Sequence, residues 1–565
     1  MAAPRTEKLL VIGLDGAGYP YLRPLLAAGE LPTLGALAAA GSMGGLDSTE
    51  IILTPVAWST SYTGKNPAAH GICGFTRRRP GTYRWGYVSP ADRTSKEYWR
   101  LLEDQGFHSV LVGPIFCRKN EDFGGVYVGG EYCGELARNV QPESLLETVA
   151  GQFQYQPVSP CRTLEEVEVF VRRKFDLARH LLATHPWNLG FVGFMEPDLL
   201  HHRNDPQFAL EGYRILDRLL GEFLAALPAP VPVMIYSDHG HRSCDRAFHV
   251  NSWLCSRGYL AKKKPREALV QRWREVREGM AQVADKLDGP AERLFYPALY
   301  GARGLVRSLP PLHRTLQRFF PDAALPNKAR PLVFGEQFAD GAQPGDLNPG
   351  LLLDYSRTKA YAYLNRGGNI AGICINRRGR DPEGVVDDAE YEDFRTELAL
   401  ALGQLREPLG GGPLVRRVWK REELYTGEHA EDFPDLLFEI DEGYYTYISE
   451  DNIDPRHLFI DLRDSQHARE GVLICSGPGF VRQPDHQGPK PSLLDVAPTL
   501  LYALDAAIPA DLEGRVLGEL FTAEYRDTRP EVWSDQESRT SRGEGYSSDE
   551  EQLIAARLRG LGYIE

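Results

Sequence analysis

Seven side chains in this sequence belong to types that bind metal ions or attack phosphorus, and each stands at a telling place. Asp15 follows the apolar run Leu9–Leu14 and is flanked by Gly16 and Gly18. Asp198 and His202 stand four apart in Glu196-Pro197-Asp198-Leu199-Leu200-His201-His202, a spacing that puts both on one side of a helical turn. Asp238 and His239 close a second apolar run and are followed by Gly240. His467 lies in Gln466-His467-Ala468-Arg469-Glu470-Gly471, just before another apolar run. Carboxylate oxygens and imidazole nitrogens suit zinc or manganese. Thr54, in Leu53-Thr54-Pro55-Val56-Ala57-Trp58, supplies a hydroxyl where a helix begins.

Each signal has a plainer reading. Strand-end aspartates often only cap or turn the chain, and a lone histidine such as His467 is more often structural. Thr-Pro is favoured at a helix start, with Thr as the N-cap and Pro at the first helical position. The same geometry suits a nucleophile, because the positive helix end can hold phosphoryl oxygens. A threonine hydroxyl needs a base or a metal to react at neutral pH. Ser59, Thr60, Ser61 and Thr63 compete with it but fall further into the helix. His201 is expected to point elsewhere, and His241 and His249 are candidate decoys. Together the set offers two groups of oxygen and nitrogen ligands around one hydroxyl. Two metals about 4 Å apart can activate a nucleophile and clamp a phosphate.

The elements that must position these residues form an α/β pattern. Apolar runs at Leu9–Leu14, Ser109–Val112, Asn188–Phe194, Pro232–Tyr236 and Gly471–Ile474 read as strands buried on both faces of a mostly parallel sheet. Helical stretches such as Val167–Ala183 and Glu211–Ala226 alternate with them. Ligands bind beyond the carboxyl ends of strands in such folds, and Asp15, Asp198 and Asp238 sit there. The organisation expected is a catalytic core at 1–255 and 446–525, a helical insertion at 256–355, a small α+β cap at 356–445, and a polar tail at 526–565 ending in a short helix. In the insertion, Leu269, Trp273, Val276, Met280, Val283 and Leu287 mark one helix face, either a lid or a membrane-surface or partner-binding segment.

Composition is that of a globular protein, with 42% apolar and 25% charged residues. The net charge of −14 argues against a nucleic-acid polymer as partner and leaves a small phosphate-ester substrate, for which bound metals supply local positive charge. The eight cysteines are scattered without a C-x-x-C pair, which suggests reduced thiols and a cytoplasmic location. No stretch reaches transmembrane length.

With these motifs in hand, the chain resembles the alkaline phosphatase superfamily. It is most similar to the branch of type I phosphodiesterases, nucleotide pyrophosphatases and predicted phosphohydrolase/phosphomutase proteins. The resemblance rests on Val11–Gly16, Thr54–Ile72 with His70-Gly71-Ile72, Pro197–His202, Ser237–Gly240, His467 with Gly477-Pro478-Gly479, and Asp495–Leu500 with Glu513-Gly514-Arg515. It implies an α/β sandwich, two zinc ions (manganese in some relatives), and Thr54 as the nucleophile touching the metals. One metal site would be Asp198, His202 and His467; the other Asp15, Asp238 and His239. Nucleotide pyrophosphatases carry a phosphoryl-holding asparagine where Phe75 stands here. The cysteine- or serine-based sulfatase motif and the phosphoglycerate mutase motif are absent.

The function expected is metal-dependent hydrolysis of a phosphoester through a covalent threonyl-phosphate, a diester or nucleotide-type substrate being favoured. A phosphomonoesterase, or a phosphotransferase or mutase using the same site, is the alternative. Phe75, Lys65 and Asn66 are candidate substrate contacts, and Arg377, Arg378 and Arg380 are either anion contacts or a solvated turn.

Overall fold

The computed structural model describes residues 8–120, 122–158, 161–263, 353–363, 368–408, 410–448, 453–483, 486, 488–543 and 545–560. Leu9–Leu14 and Leu189–Phe194 are buried at every position, as continuous apolar runs require when a sheet is covered on both faces. They pair in parallel at the middle of an eight-stranded sheet. From edge to edge its strands are Ser42–Asp47, Glu470–Ser476, Val233–Tyr236, Leu9–Leu14, Leu189–Phe194, Ser109–Val112, Val126–Val128 and Val140–Gln141. The five from Val233–Tyr236 to Val126–Val128 are mutually parallel. Glu470–Ser476 runs antiparallel to both of its neighbours. The mixed α/β architecture with a large, mostly parallel sheet is the one expected of an alkaline-phosphatase-like chain.

Parallel strands need crossovers, and two long helices provide them. Leu164–Thr184 begins at the N-cap Thr163, whose hydroxyl accepts from the Glu166 N–H. It buries Val167, Val171, Phe175, Ala178 and Leu182, a stripe in steps of three and four. Pro206–Ala225 starts from Asp205, whose carboxylate accepts from the N–H groups of Gln207 and Phe208.

Register sets the height of the future site. Gly13 lies level with Gly193 on one side and Tyr236 on the other. Asp15 and Asp238, each two residues further on, therefore leave the sheet together.

A separate three-stranded sheet places Gly240–His249 between Tyr444–Tyr447 and Phe459–Ala468. Its antiparallel pair sets His241 directly opposite His467. The residues expected to form a cap build a four-stranded sheet from Ala360–Tyr363, Ile370–Ile375, Leu436–Ile440 and Val415–Lys420, with the helix Asp388–Gly403 on it. This part has its own apolar cluster, which includes Phe248 and Trp253 from the neighbouring segment.

Of the expected helical insertion, only 256–263 and 353–355 belong to the described residues, and its two helical stretches lie outside them. The C-terminal stretch packs back onto the fold. Its helix Ser548–Gly560 buries Ile554 and Leu558 in the main core, because two apolar residues one turn apart give it a face to dock. No described helix is long and apolar enough to cross a membrane. None of the eight cysteines is disulfide-bonded.

Gly13 faces the fully buried ring of Trp58, and a Cβ there would stand 2.8 Å from Trp58 Cη2. Gly13→Ala is expected to cost about 1–3 kcal/mol by overpacking, read as a lower urea midpoint at unchanged m-value.

Candidate active site

The helix Thr54–Thr63 is buried at every residue, and the hydroxyls along it divide into two kinds. Ser61 donates to Trp58 O, Thr63 donates to Ser59 O, Thr60 is hydrogen-bonded to His70, and Ser59 accepts from Arg93. Thr54 Oγ1 has no hydrogen-bond partner among the described residues, although the residue is fully buried. The N-cap is Leu53 rather than Thr54, so Thr54 is the first helical residue and its side chain makes no cap bond. That one-residue shift removes the plainer role for the hydroxyl and leaves it at the positive end of the helix.

Two contacts fix where Thr54 lies. Four residues on, Trp58 Nε1 donates to Asp15 Oδ2 at 2.7 Å. Two residues back, Ile52 O accepts from His467 Nδ1 at 3.0 Å. The chain on either side of Thr54 is thereby tied to Asp15 and to His467.

The structure brings the expected aspartates and histidines together. Asp15, Asp238 and His239 present ligand atoms within 4.8 Å of one another, and so do Asp198, His239, His241 and His467. Each carboxylate has one oxygen tied and one left over. Asp15 Oδ2 is held by Trp58, Asp238 Oδ1 by the Gly16 N–H at 3.2 Å, and Asp198 Oδ1 by His241 Nε2 at 2.8 Å. Asp15 Oδ1, Asp198 Oδ2, Asp238 Oδ2 and His239 Nε2 are buried without a hydrogen-bond partner among the described residues, and His239 Nε2 lies 3.4 Å from both Asp15 Oδ1 and Asp238 Oδ2. Buried polar atoms are rarely orphaned, and three of these four belong to one group of ligand-type residues, Asp15, Asp238 and His239, that could hold a cation. His239 and His467 turn Nε2 inward because Nδ1 of each is engaged by a backbone carbonyl, Gly240 O and Ile52 O respectively.

The electrostatics agree. Burial, then the charges of Asp238 and Asp198, pushes the Asp15 carboxyl well above its usual range. Burial and the Asp198 charge do the same to Asp238 against opposing backbone hydrogen bonds. For Asp198, burial acts upward. The His202 charge and hydrogen bonds from His202, His241 and His467 outweigh it and hold the carboxyl well below normal. Burial and its histidine neighbours push His239 well down, toward the neutral form that binds metals.

His202 stands at the rim of the cluster. Its Nε2 is 3.4 Å from both Asp198 Oδ1 and His467 Nε2, and its side chain, 18% exposed, is the wettest of the set. His241, treated as a possible decoy in the sequence, lies inside the tighter group. Alternation along the strand was the available signal: His239 and His241 are two apart and share a face. His201 stacks on His241 at 4.8 Å and points away from the carboxylates, as expected. His249 caps its own helix by accepting from the Ser252 N–H. A cavity of about 120 Å³ opens beside His241, lined by Tyr21, His201, Asn204, Arg242 and Ser465 among others.

The candidate substrate contacts are not brought to Thr54 in the way expected. Lys65 pairs with Asp511 at 2.6 Å and Asn66 with Glu513 at 2.8 Å, beyond the far end of the helix that Thr54 begins. Helix geometry makes that separation about 14 Å or more. Phe75 is buried against Tyr132 and Phe116 instead of offering a free face. Arg377, Arg378 and Arg380 are paired within the cap with Asp388, Asp387 and Asp435.

Residues 9–297 match the type I phosphodiesterase / nucleotide pyrophosphatase family. The chain belongs to that family. Membership places its chemistry in phosphoester hydrolysis within the alkaline phosphatase superfamily. Among solved structures, phosphonoacetate hydrolase from Sinorhizobium meliloti 1021, in complex with phosphonoformate, shares the fold. The match has a TM-score of 0.50 at 14% identity and covers 89% of this chain and 96% of that one. Murine ectonucleotide pyrophosphatase/phosphodiesterase 5 aligns with a TM-score of 0.46 at 14% identity, over 91% of this chain and 100% of that one. Comparison with curated protein sequences yields no match.

A cation seated among these orphaned atoms must stabilise the folded chain. Adding zinc or manganese to chelator-treated protein is expected to raise Tm, corresponding to about 2.7 kcal/mol at a hundredfold excess over Kd. His467→Ala and His239→Ala should lose most of that gain in differential scanning fluorimetry, whereas His249→Ala should keep it.

Proposed function

We propose that this protein is a two-metal phosphohydrolase that works through a covalent phosphoryl intermediate on Thr54. The observation that carries the reading is the buried Thr54 hydroxyl at a helix N-terminus, without a hydrogen-bond partner among the described residues, in a stretch whose Trp58 binds Asp15 and whose Ile52 O binds His467. The donor set fits two divalent cations, zinc or manganese. Asp198, His202 and His467 would hold one, with His241 steadying Asp198. Asp15, Asp238 and His239 would hold the other, with Thr54 touching both. Bound there, the cations supply Lewis-acid charge that favours the alkoxide form of Thr54 and offsets the charge of the phosphoryl group.

The protein's own groups do the rest. The Thr54 oxygen forms a bond to phosphorus and loses its proton, while the ester oxygen in line with it departs and takes one up. Water then cleaves the threonyl-phosphate, restoring the hydroxyl and releasing the phosphorylated product. The positive end of the helix Thr54–Thr63 stays beside the phosphoryl oxygens throughout. Trp58 fixes Asp15 so that the same carboxylate oxygen always faces the site. Burial of the whole cluster strengthens each of these electrostatic interactions.

Substrate charge should matter. A monoester brings a second negative charge, and Lys65, the cation nearest in sequence, is committed to Asp511. A diester carries one charge fewer, so kcat/KM for bis-p-nitrophenyl phosphate should exceed that for p-nitrophenyl phosphate by tenfold or more on one metal-loaded preparation. A clear monoester preference would turn the reading toward a phosphatase.

Thr54→Ala should abolish turnover of either ester while metal content, by elemental analysis, and Tm stay near wild type, because the side chain makes no cap bond to lose. Wild-type turnover in that variant would remove Thr54 from the chemistry.

A further inference from the structure

The loop after the strand Val126–Val128 carries an unusual tyrosine. Tyr132 has a backbone φ of 63°, a left-handed conformation that a bulky residue adopts only when its surroundings impose it. The surroundings here are specific. Gly130 is pressed so close to the loop after the neighbouring strand that a Cβ would lie 2.5 Å from Gly113 backbone atoms. Tyr546 donates its hydroxyl to Tyr132 O at 2.7 Å, and Asn139 Nδ2 donates to Cys133 O at 2.9 Å. Arg557, from the docked C-terminal helix, holds the preceding residue, Glu131, at 2.8 Å.

All this fixes a ring that packs against Phe75 and Phe116, with centroids 5.2 and 6.3 Å away. Its hydroxyl is buried and has no hydrogen-bond partner among the described residues. The strand before it is parallel to Ser109–Val112, which is parallel to Leu189–Phe194, so Tyr132 and Asp198 stand beyond the same carboxyl edge. Two strand spacings, about 10 Å, separate the strands concerned. The charges of Asp198 and Asp15 reach the phenol.

We propose that the Tyr132 hydroxyl is a substrate-binding donor: it gives a hydrogen bond to a non-bridging phosphoryl oxygen of the ester and of the threonyl-phosphate. An orphaned buried hydroxyl costs folding stability, and a ligand oxygen offsets that cost. The neutral donor suits a singly charged phosphodiester, adding a contact without adding a cation. Burial, with Glu131 the next contributor, holds the phenol well above its ordinary range, so the proton needed for donation stays in place. The proposal rests on the phosphohydrolase reading above and adds a residue to it.

Tyr132→Phe tests it, since the variant keeps the ring and removes only the hydroxyl. Three quantities are compared with wild type on metal-loaded protein: orthophosphate affinity by titration calorimetry, kcat/KM for bis-p-nitrophenyl phosphate, and Tm with metal content. The expected result is a loss of roughly tenfold or more in both affinity and kcat/KM, with metal content unchanged and Tm equal or higher. Orthophosphate affinity and kcat/KM that match wild type would overturn the proposal alone. A loss that tracks lost metal would also overturn it, by assigning the tyrosine to the metal cluster. A wild-type protein that neither binds orthophosphate nor cleaves esters would overturn the phosphohydrolase reading, and this proposal with it.

Discussion

Mutual repulsion among Asp15, Asp198 and Asp238 is the constraint around which this molecule is arranged. All three carboxyl groups are fully buried, and an ion moved into such a place costs several kcal/mol unless it is compensated. Partial compensation comes from within: a tryptophan N–H for Asp15, a backbone N–H for Asp238, imidazoles for Asp198. Each device ties one oxygen and leaves the other facing its neighbours. Burial first, and then the neighbouring carboxylate charges, push Asp15 and Asp238 well above their ordinary range. Under the proposed function, divalent cations would remove the conflict and would favour the alkoxide of the Thr54 hydroxyl.

The rest of the fold keeps that crowd in place. The strand ending at Leu14 is level with its two parallel neighbours, which sets the heights of Asp15 and Asp238. Gly13 lacks a side chain so that Trp58 can lie across it and reach Asp15. The antiparallel pair that sets His467 against His241 returns a distant part of the chain to the site. Ile52 O, just before the helix of Thr54, then fixes the His467 ring. Thr54, the tryptophan that binds Asp15 and the carbonyl that binds His467 thus share one short stretch, residues 52–58.

Phe75, Phe116 and Tyr132 pack together as a buried aromatic group. The arginines of the cap are spent on aspartates of the cap, where they fasten its turn to its sheet. Arg557 and Glu131 form a further pair behind the tyrosine loop. The C-terminal helix, far away in sequence, becomes part of the wall because Ile554 and Leu558 give it something to bury.

Strand-end aspartates, the Asp-His pair and the threonine before proline were legible in the sequence because each depends on local pattern: an apolar run, a turn residue, a helix start. The α/β class was legible for the same reason, since period and run length are local quantities. His241 was partly legible, two residues from His239, yet only its pairing with His467 brings it into the cluster. The role of Lys65 and Asn66 was decided by tertiary structure, because acidic partners more than four hundred residues away claim them. So was the docking of the C-terminal helix, whose two apolar residues count only once a core is there to receive them. Local backbone preference writes itself into a short stretch of sequence, whereas charge pairing and burial depend on which distant residue arrives next to which. The second kind of fact exists only when the chain has folded.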